Sequence, residues 1–508
     1  MARRIRWLGV VLILCFGLVI VQLTNIQFRK ASALSTSPSN PVNRVPDFNN
    51  QRGEIFAANG KVLADSVRVA PKGSDSYQWQ RQYPTGALFS QLIGTCSPFY
   101  CDTGIDSYYS AQLDLHKTPA QTLSQLLSPP PPTTDDITLT LDPTLQQDAM
   151  NALNSLPGPN KDGAIVILNP STGAILAMAS TPTYDPAPLV SLDQTTETDA
   201  RNLYHLPDAE GFIPFYPMAT YNALQPGSTA KVLTTAAIYN LRPDLATIDL
   251  PVQACLTNIP DTNQEICNDA DTASAAAACG GTLQVMLPES CDPGFAKLGL
   301  LLGGDTLAEQ ADLFGLNTRP PLDISPVGLV QPSAYPSASD LSPGGNPGIP
   351  GQAYSAFGQQ DVETTALQNA LIAAGIANGG AVMTPHFLEK ITNSQGAVVE
   401  TYKPTIWKQA TSPQAAAQVI PLMQAVATSG TAAGDHFPSS LDVAVKTGTA
   451  QIEINNAITS VHDWMIGFAP ASAPKVAIAV VVPYQPTSTQ GASIAGPIVL
   501  KMLEAALG

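Results

Sequence analysis

Four consecutive prolines, Pro129 to Pro132, sit inside the run from Ser128 to Thr134. Proline fixes its own φ and lacks the amide proton that a helix or sheet ladder needs, so no regular element crosses this stretch. A stiff spacer therefore divides the chain of 508 residues, and a boundary is expected at residue 134. On its N-terminal side, residues 29–50 are polar and read as a stalk. Residues 51–64 read as two short strands joined by Asn59-Gly60, a pair that accepts the positive φ of a two-residue turn. Residues 65–127 form a small mixed region with few long apolar runs.

Beyond the spacer the pattern tightens. Ile137 to Leu141 alternates like a strand, and Thr144 to Leu156 reads as a helix. Gly163 to Leu168 and Ala174 to Ala179, around a Pro-Ser-Thr-Gly turn, predict a buried hairpin. Trp464 to Ala469 and Val476 to Val482 predict a second one, apolar without alternation and so covered on both faces. An amphipathic helix is expected from Pro497 to Leu507. Strands at both ends with helices between them predict one sheet closed by the two ends of the domain. The segment 320–352, rich in Pro, Ser and Gly, is expected to be a long surface loop.

At the N-terminus, Arg3, Arg4 and Arg6 precede an apolar run from Trp7 to Leu23. Its length suits a membrane helix, and the arginines would keep the N-terminus cytoplasmic. A cleaved signal peptide is the other reading, with Ala31-Ser32-Ala33 as its cleavage box, but Arg29 and Lys30 intervene. The expected layout is an anchor over 1–28, a non-catalytic pedestal with its linker over 29–134, and a catalytic domain over 135–508 outside the cytoplasm. A net charge of −16 repels phosphate backbones, so no nucleic-acid partner is expected. Six cysteines lie beyond the apolar run: Cys96, Cys101, Cys255, Cys267, Cys279 and Cys291. Outside the cytoplasm they are compatible with disulfides. Cys96 and Cys101 could close a small loop, and the other four allow three pairings. With no Cys-x-x-Cys and no nearby histidine, no metal is expected, and with no Walker-type glycine loop before a Lys-Ser or Lys-Thr no nucleotide is indicated, so no cofactor is expected.

Two motifs carry the chemistry. Pro226-Gly227-Ser228-Thr229-Ala230-Lys231 opens a helix-compatible run. Ser228 and Lys231 are three apart, so on a helix they share one face. A desolvated lysine there can lose its proton and take that of the serine as the hydroxyl attacks a carbonyl. The helix N-terminus supplies positive potential where an oxyanion develops. Ser472-Ala473-Pro474-Lys475 has the same spacing but falls in a predicted hairpin turn. Lys446-Thr447-Gly448-Thr449 follows apolar residues that read as a strand. On it Lys446 and Thr447 could bind a carboxylate, and Gly448 would admit a substrate backbone.

Ser-x-x-Lys followed about two hundred residues later by Lys-Thr-Gly resembles the penicillin-recognising serine enzymes. Their third motif, Ser-x-Asn, has its best match at Ser290-Cys291-Asp292, with Asp292 in place of Asn. Ser440-Leu441-Asp442 is too close to the Lys-Thr-Gly strand. An Asn amide can donate to a substrate carbonyl, whereas an ionised Asp only accepts and would hold a nearby Lys231 protonated. Further stretches fit the class B penicillin-binding proteins. Arg52-Gly53-Glu54-Ile55 resembles the start of their pedestal. Thr138 to Asp142 resembles the start of their transpeptidase domain. Phe357-Gly358-Gln359-Gln360 and Ile376-Ala377-Asn378-Gly379-Gly380 resemble the segment before their Lys-Thr-Gly strand. Overall the chain is most similar to the actinobacterial PbpA-type branch.

The resemblance implies an α/β (α+β) fold with an antiparallel five-stranded sheet flanked by helices. It implies that Ser228 is acylated, Lys231 is its base and Ser290 relays protons. It implies that Asp292 lines the cleft, Lys446 and Thr447 hold a terminal carboxylate, and the Ser228 and Thr449 amides form an oxyanion hole beside Gly448. Cys279 would pair with Cys291. The implied reaction is D,D-transpeptidation of peptidoglycan stem peptides, with β-lactams as mimics and a membrane-embedded peptidoglycan glycosyltransferase as partner. A carboxypeptidase or β-lactamase on the same fold, and a catalytically impaired scaffold or β-lactam sensor, are the competing readings.

Overall fold

The computed structural model describes residues 48–70, 77–116, 131–158, 160–268, 278–455 and 457–508, with positions 7, 12, 15–17 and 22 before them. Most of the expected anchor and of the stalk lie outside the described residues, as do the first two residues of the proline run. No helix among the described residues is long and apolar enough to cross a membrane.

Eleven strands build two sheets. They are β1 (Ile55–Phe56), β2 (Val62–Arg68), β3 (Trp79–Gln82), β4 (Asp135–Leu139), β5 (Gly163–Leu168), β6 (Ile175–Thr181), β7 (Leu388–Asn393), β8 (Val398–Thr401), β9 (Ala444–Ile454), β10 (Ala457–Ala469) and β11 (Val476–Gln485). The helices that matter here are α1 (Pro143–Asn154), α2 (Gln194–Tyr204), α3 (Lys231–Leu241), α4 (Asp292–Leu313), α5 (Ala366–Ala377), α6 (Pro413–Thr428) and α7 (Gly491–Leu507).

The first sheet has the order β8-β7-β4-β1-β2-β3. Its β1–β2 hairpin turns at Asn59-Gly60, but Gly60 alone takes positive φ, +80°, and the Ala57 N–H donating to the Lys61 carbonyl closes a three-residue loop instead of the expected two-residue turn. Ile55 pairs in parallel with Ile137, and Ile137 pairs on its other side with Ile391. This sheet therefore takes strands from both sides of residue 134. A buried ion cluster braces it: Arg52 Nε donates to Asp106 Oδ1 and Arg81 Nε to Asp106 Oδ2, both at 2.8 Å.

The second sheet is antiparallel throughout, in the order β9-β10-β11-β5-β6. β11, the second strand of the predicted C-terminal hairpin, lies between β10 and β5, and its pairing of Val480 with Ile165 joins the ends of the domain into one sheet. Alternate residues serve opposite faces. Val166, Phe468 and Ala479 enter the core that holds Leu371 of α5. Ile165, Met465 and Val480 enter the core that holds Leu153 of α1 and Val499 and Met502 of α7. Both faces being covered explains the unbroken apolar runs.

Two further expectations need correction. The C-terminal helix begins at Gly491, not Pro497, because Gln490 and Ser493 form a capping box that starts it six residues earlier and Pro497 is carried inside. Segment 320–352 is largely irregular but not superficial. Leu329, Tyr335 and Leu341 are buried, and a helix begins within it at Gly348–Ser355. Disulfides join Cys96 to Cys101, Cys255 to Cys267 and Cys279 to Cys291.

Candidate active site

The nucleophile motif does not start on a full α-helix. Gly227–Ala230 forms a 3-10 turn that runs into α3 at Lys231. The turn is pinned by Gly227 N–H donating to the Gly358 carbonyl at 3.0 Å. Gly227 has φ +53°, and a Cβ on it would lie 2.8 Å from the Thr449 carbonyl carbon. No larger residue fits, and the backbones of Ser228 and Thr449 are thereby brought side by side.

Lys231 is fully buried and is held by oxygen atoms. Its Nζ lies 2.8 Å from Ser228 Oγ, 2.6 Å from the Ser290 carbonyl and 3.1 Å from Ser290 Oγ. It also forms an ion pair with Asp292 Oδ1. The rings of Phe295 and Phe357 stand 5.5 and 6.0 Å from the ammonium. Ser228 Oγ in turn lies 3.5 Å from Asp292 Oδ1.

Ser290 occupies a left-handed backbone conformation, φ +58°, between the short helix Leu283–Met286 and α4. Cys291 follows it, and its disulfide to Cys279 fixes the bend. The Asp292 amide donates to Asn268 Oδ1 at 3.0 Å. Lys446 reaches the same point from β9, with Nζ 3.0 Å from Ser290 Oγ and 2.9 Å from the Thr447 carbonyl. It is fully buried. Burial and then the neighbouring Lys231 charge push Lys446 well below an ordinary lysine, while Asp292 acts the other way. Thr447 Oγ1 lies 2.6 Å from Thr431 Oγ1. Gly448 passes the nucleophile turn so closely that a Cβ would lie 2.6 Å from the Pro226 carbonyl.

All eight predicted residues thus converge. Ser228, Ser290, Asp292, Thr447 and Thr449 line one open cavity of about 460 Å³, Lys231 and Lys446 are buried beside it with both ammoniums against Ser290 Oγ, and Gly448 lets β9 meet the nucleophile turn. The decoy Ser472-to-Lys475 lies in the β10–β11 connection. Ser440-Leu441-Asp442 forms a 3-10 turn whose Asp442 serves Gln424 and the Ser472 amide instead. Sequence reading missed Thr431 and Asn268, which reach the site from segments without a motif.

Residues 163–504 match the model of the penicillin binding protein transpeptidase domain. The chain belongs to this family. Residues 52–129 match a second model, the penicillin binding protein A dimerisation domain, which ends before the transpeptidase domain begins. The transpeptidase chain is similar over its whole length to the peptidoglycan D,D-transpeptidase PbpA of Mycolicibacterium smegmatis, at 32% identity covering 99% of that protein. The protein of that name in Mycobacterium tuberculosis is 31% identical, also covering 99% of it. Among solved structures, penicillin-binding protein A from M. tuberculosis as a penicillin G acyl-enzyme complex superposes with a TM-score of 0.76. That match is 31% identical and covers 90% of this chain and all of the other.

Proposed function

We propose that this penicillin-binding protein is a peptidoglycan D,D-transpeptidase acting through an acyl-enzyme on Ser228. The observation that carries the reading is the position of Ser228 Oγ, 2.8 Å from a fully buried lysine ammonium. The same ammonium touches Ser290, and Ser290 touches Lys446. In this reading a stem peptide ending in D-Ala-D-Ala places its carboxylate against Lys446, Thr447 and Thr431. Its scissile carbonyl turns toward the amides of Ser228 and Thr449 beside Gly448. Asp292 lines the donor cleft, and Lys231 with Ser290 moves protons between the nucleophile and the leaving amine. D-Ala departs, and an amine of a neighbouring stem peptide attacks the ester. A β-lactam is attacked in the same way. The curated relatives named as D,D-transpeptidases and the acyl-enzyme structures support this reading.

The proposal extends to organisation. Residues 1–28 anchor the chain with its N-terminus cytoplasmic, 29–134 form the pedestal and linker, and 135–508 form the transpeptidase outside the cytoplasm. A membrane-embedded glycosyltransferase supplies the strands to be cross-linked. The Lys231–Asp292 ion pair favours one other reading, a catalytically impaired scaffold or sensor, because an ion-paired ammonium has no lone pair for a proton.

Fluorescent penicillin tests the assignment on the full chain in detergent. A stable covalent label in the parent, absent from Ser228→Ala, is the expected result. Label shed within minutes indicates a hydrolase, and persistent label on Ser228→Ala removes Ser228 as the nucleophile.

A further inference from the structure

We propose that the carboxylate of Asp292 accepts the Ser228 proton during acylation, which makes Asp292 a catalytic residue rather than a wall of the cleft. The inference rests on Ser228 being the nucleophile. Its basis is geometric. Lys231 Nζ is placed against oxygen: Ser228 Oγ, the carbonyl and hydroxyl oxygens of Ser290, and Asp292 Oδ1. An ammonium so placed donates and cannot accept. Among the described residues, the carboxylate beside Ser228 Oγ is that of Asp292, whose Oδ1 lies 3.5 Å away and, while paired with Lys231, keeps lone-pair capacity for a further proton. The backbone that carries it is held by the Asp292 N–H donating to Asn268 Oδ1 and by the Cys279–Cys291 disulfide next to it. Its side chain is 26% exposed, on the cavity side. The charged and titratable groups facing it are Lys231 from α3 and Lys446 from β9, with Glu289, Glu265, Tyr354 and, from β9, Glu453 on the walls of the cavities it lines.

The protons balance. Ser228 Oγ bonds to the carbonyl carbon, and its hydrogen passes to Asp292. The carbon–nitrogen bond breaks, and the leaving nitrogen takes the Ser290 hydroxyl proton. Lys231 reprotonates Ser290 at 3.1 Å. Asp292 then returns its proton to Lys231, and the ion pair is restored with no net gain or loss.

The rate of acylation by a fluorescent penicillin, followed against pH for the full chain and Asp292→Asn, decides the matter. If Asp292 is the acceptor, the variant is slower by roughly a hundredfold or more at neutral pH. Its acid limb moves to higher pH, because the remaining base is an amine, which holds its proton far above the range of a carboxylate. If Lys231 alone is the base, removing the neighbouring negative charge lets the lysine lose its proton at lower pH. The acid limb then moves down and the rate rises, which overturns the proposal, as does a limb that does not move. Asp292→Ala with added formate covers a variant that does not acylate. Recovery that grows with formate supports the carboxylate as acceptor, and no recovery in a sample with the parental melting temperature overturns it. Failure of the Ser228 assignment shows separately, as label on Ser228→Ala.

Discussion

Gly448 shows how little space separates the two halves of this site. A methyl group there would meet the Pro226 carbonyl at 2.6 Å and Thr229 Cγ2 at 2.8 Å. Gly448→Ala is therefore expected to push β9 off the nucleophile turn. It should cost about 1–3 kcal/mol of stability, as overpacking does, and slow acylation at least tenfold. Thermal melting and penicillin labelling check the two effects. At this scale much of the site is legible from sequence. Ser228 and Lys231 are neighbours through local spacing, and Lys446 lies in an apolar strand run. Ser290 was placed only through a family motif, and nothing in the sequence marks Thr431 or Asn268. Their contacts to Thr447 and Asp292 cross 16 and 24 residues of chain, a separation that carries no periodic signal.

Among the elements, α2 is secured in an unusual way. Its Glu197 is buried, with the Ser97 hydroxyl 2.8 Å from each carboxylate oxygen. Ser97 sits in the loop closed by Cys96 and Cys101. Burial pushes the Glu197 carboxyl up to about 7, against the opposing pull of Ser97 and Arg201. The folded state thus binds this proton more tightly than the unfolded chain does. The resulting stabilisation is complete below the unfolded value of 4.5 and is lost as pH rises through about 7. Glu197→Gln, neutral at every pH, should flatten the fall in stability across that window. It should gain about 1–3 kcal/mol on the parent at pH 8. Denaturant unfolding at pH 5 and pH 8 measures the difference. Strands were easier to read than helix ends. β5 and β11 announce themselves by apolar runs, whereas the start of α7 depends on a side-chain exchange between Gln490 and Ser493 that Pro497 conceals.

Across the whole molecule, the first sheet resists division at the proline run because β4 lies between β1 and β7. Its brace is Asp106. Burial alone would raise this carboxyl, but Arg81 and then Arg52 outweigh it and hold it at about 2. Asp106→Asn leaves the buried Arg81 guanidinium without its counter-charge and Arg52 with Asp114 alone, and is expected to cost about 3–5 kcal/mol. Because the sheet includes the β7–β8 hairpin, penicillin labelling should fail at the same lowered temperature as the pedestal in a melting series. Two separate transitions would show that the regions unfold independently. The topology was only partly legible. Apolar patterning located the end strands of the domain, but no local pattern shows that residues 388–401 join a sheet begun at residue 55.

The place of β11 between β10 and β5 also governs the order of events during synthesis. The first hairpin, complete by residue 181, has one long apolar edge with no partner until residues 476–485 emerge. The first sheet likewise waits for residues 388–393 to cover β4. The first sheet can close once residues 388–401 have emerged, but the second cannot close until residues 476–485 have. The chain must therefore be kept from pairing wrongly for most of its elongation, and truncation before residue 476 leaves both β5 and β10 without the strand that joins them.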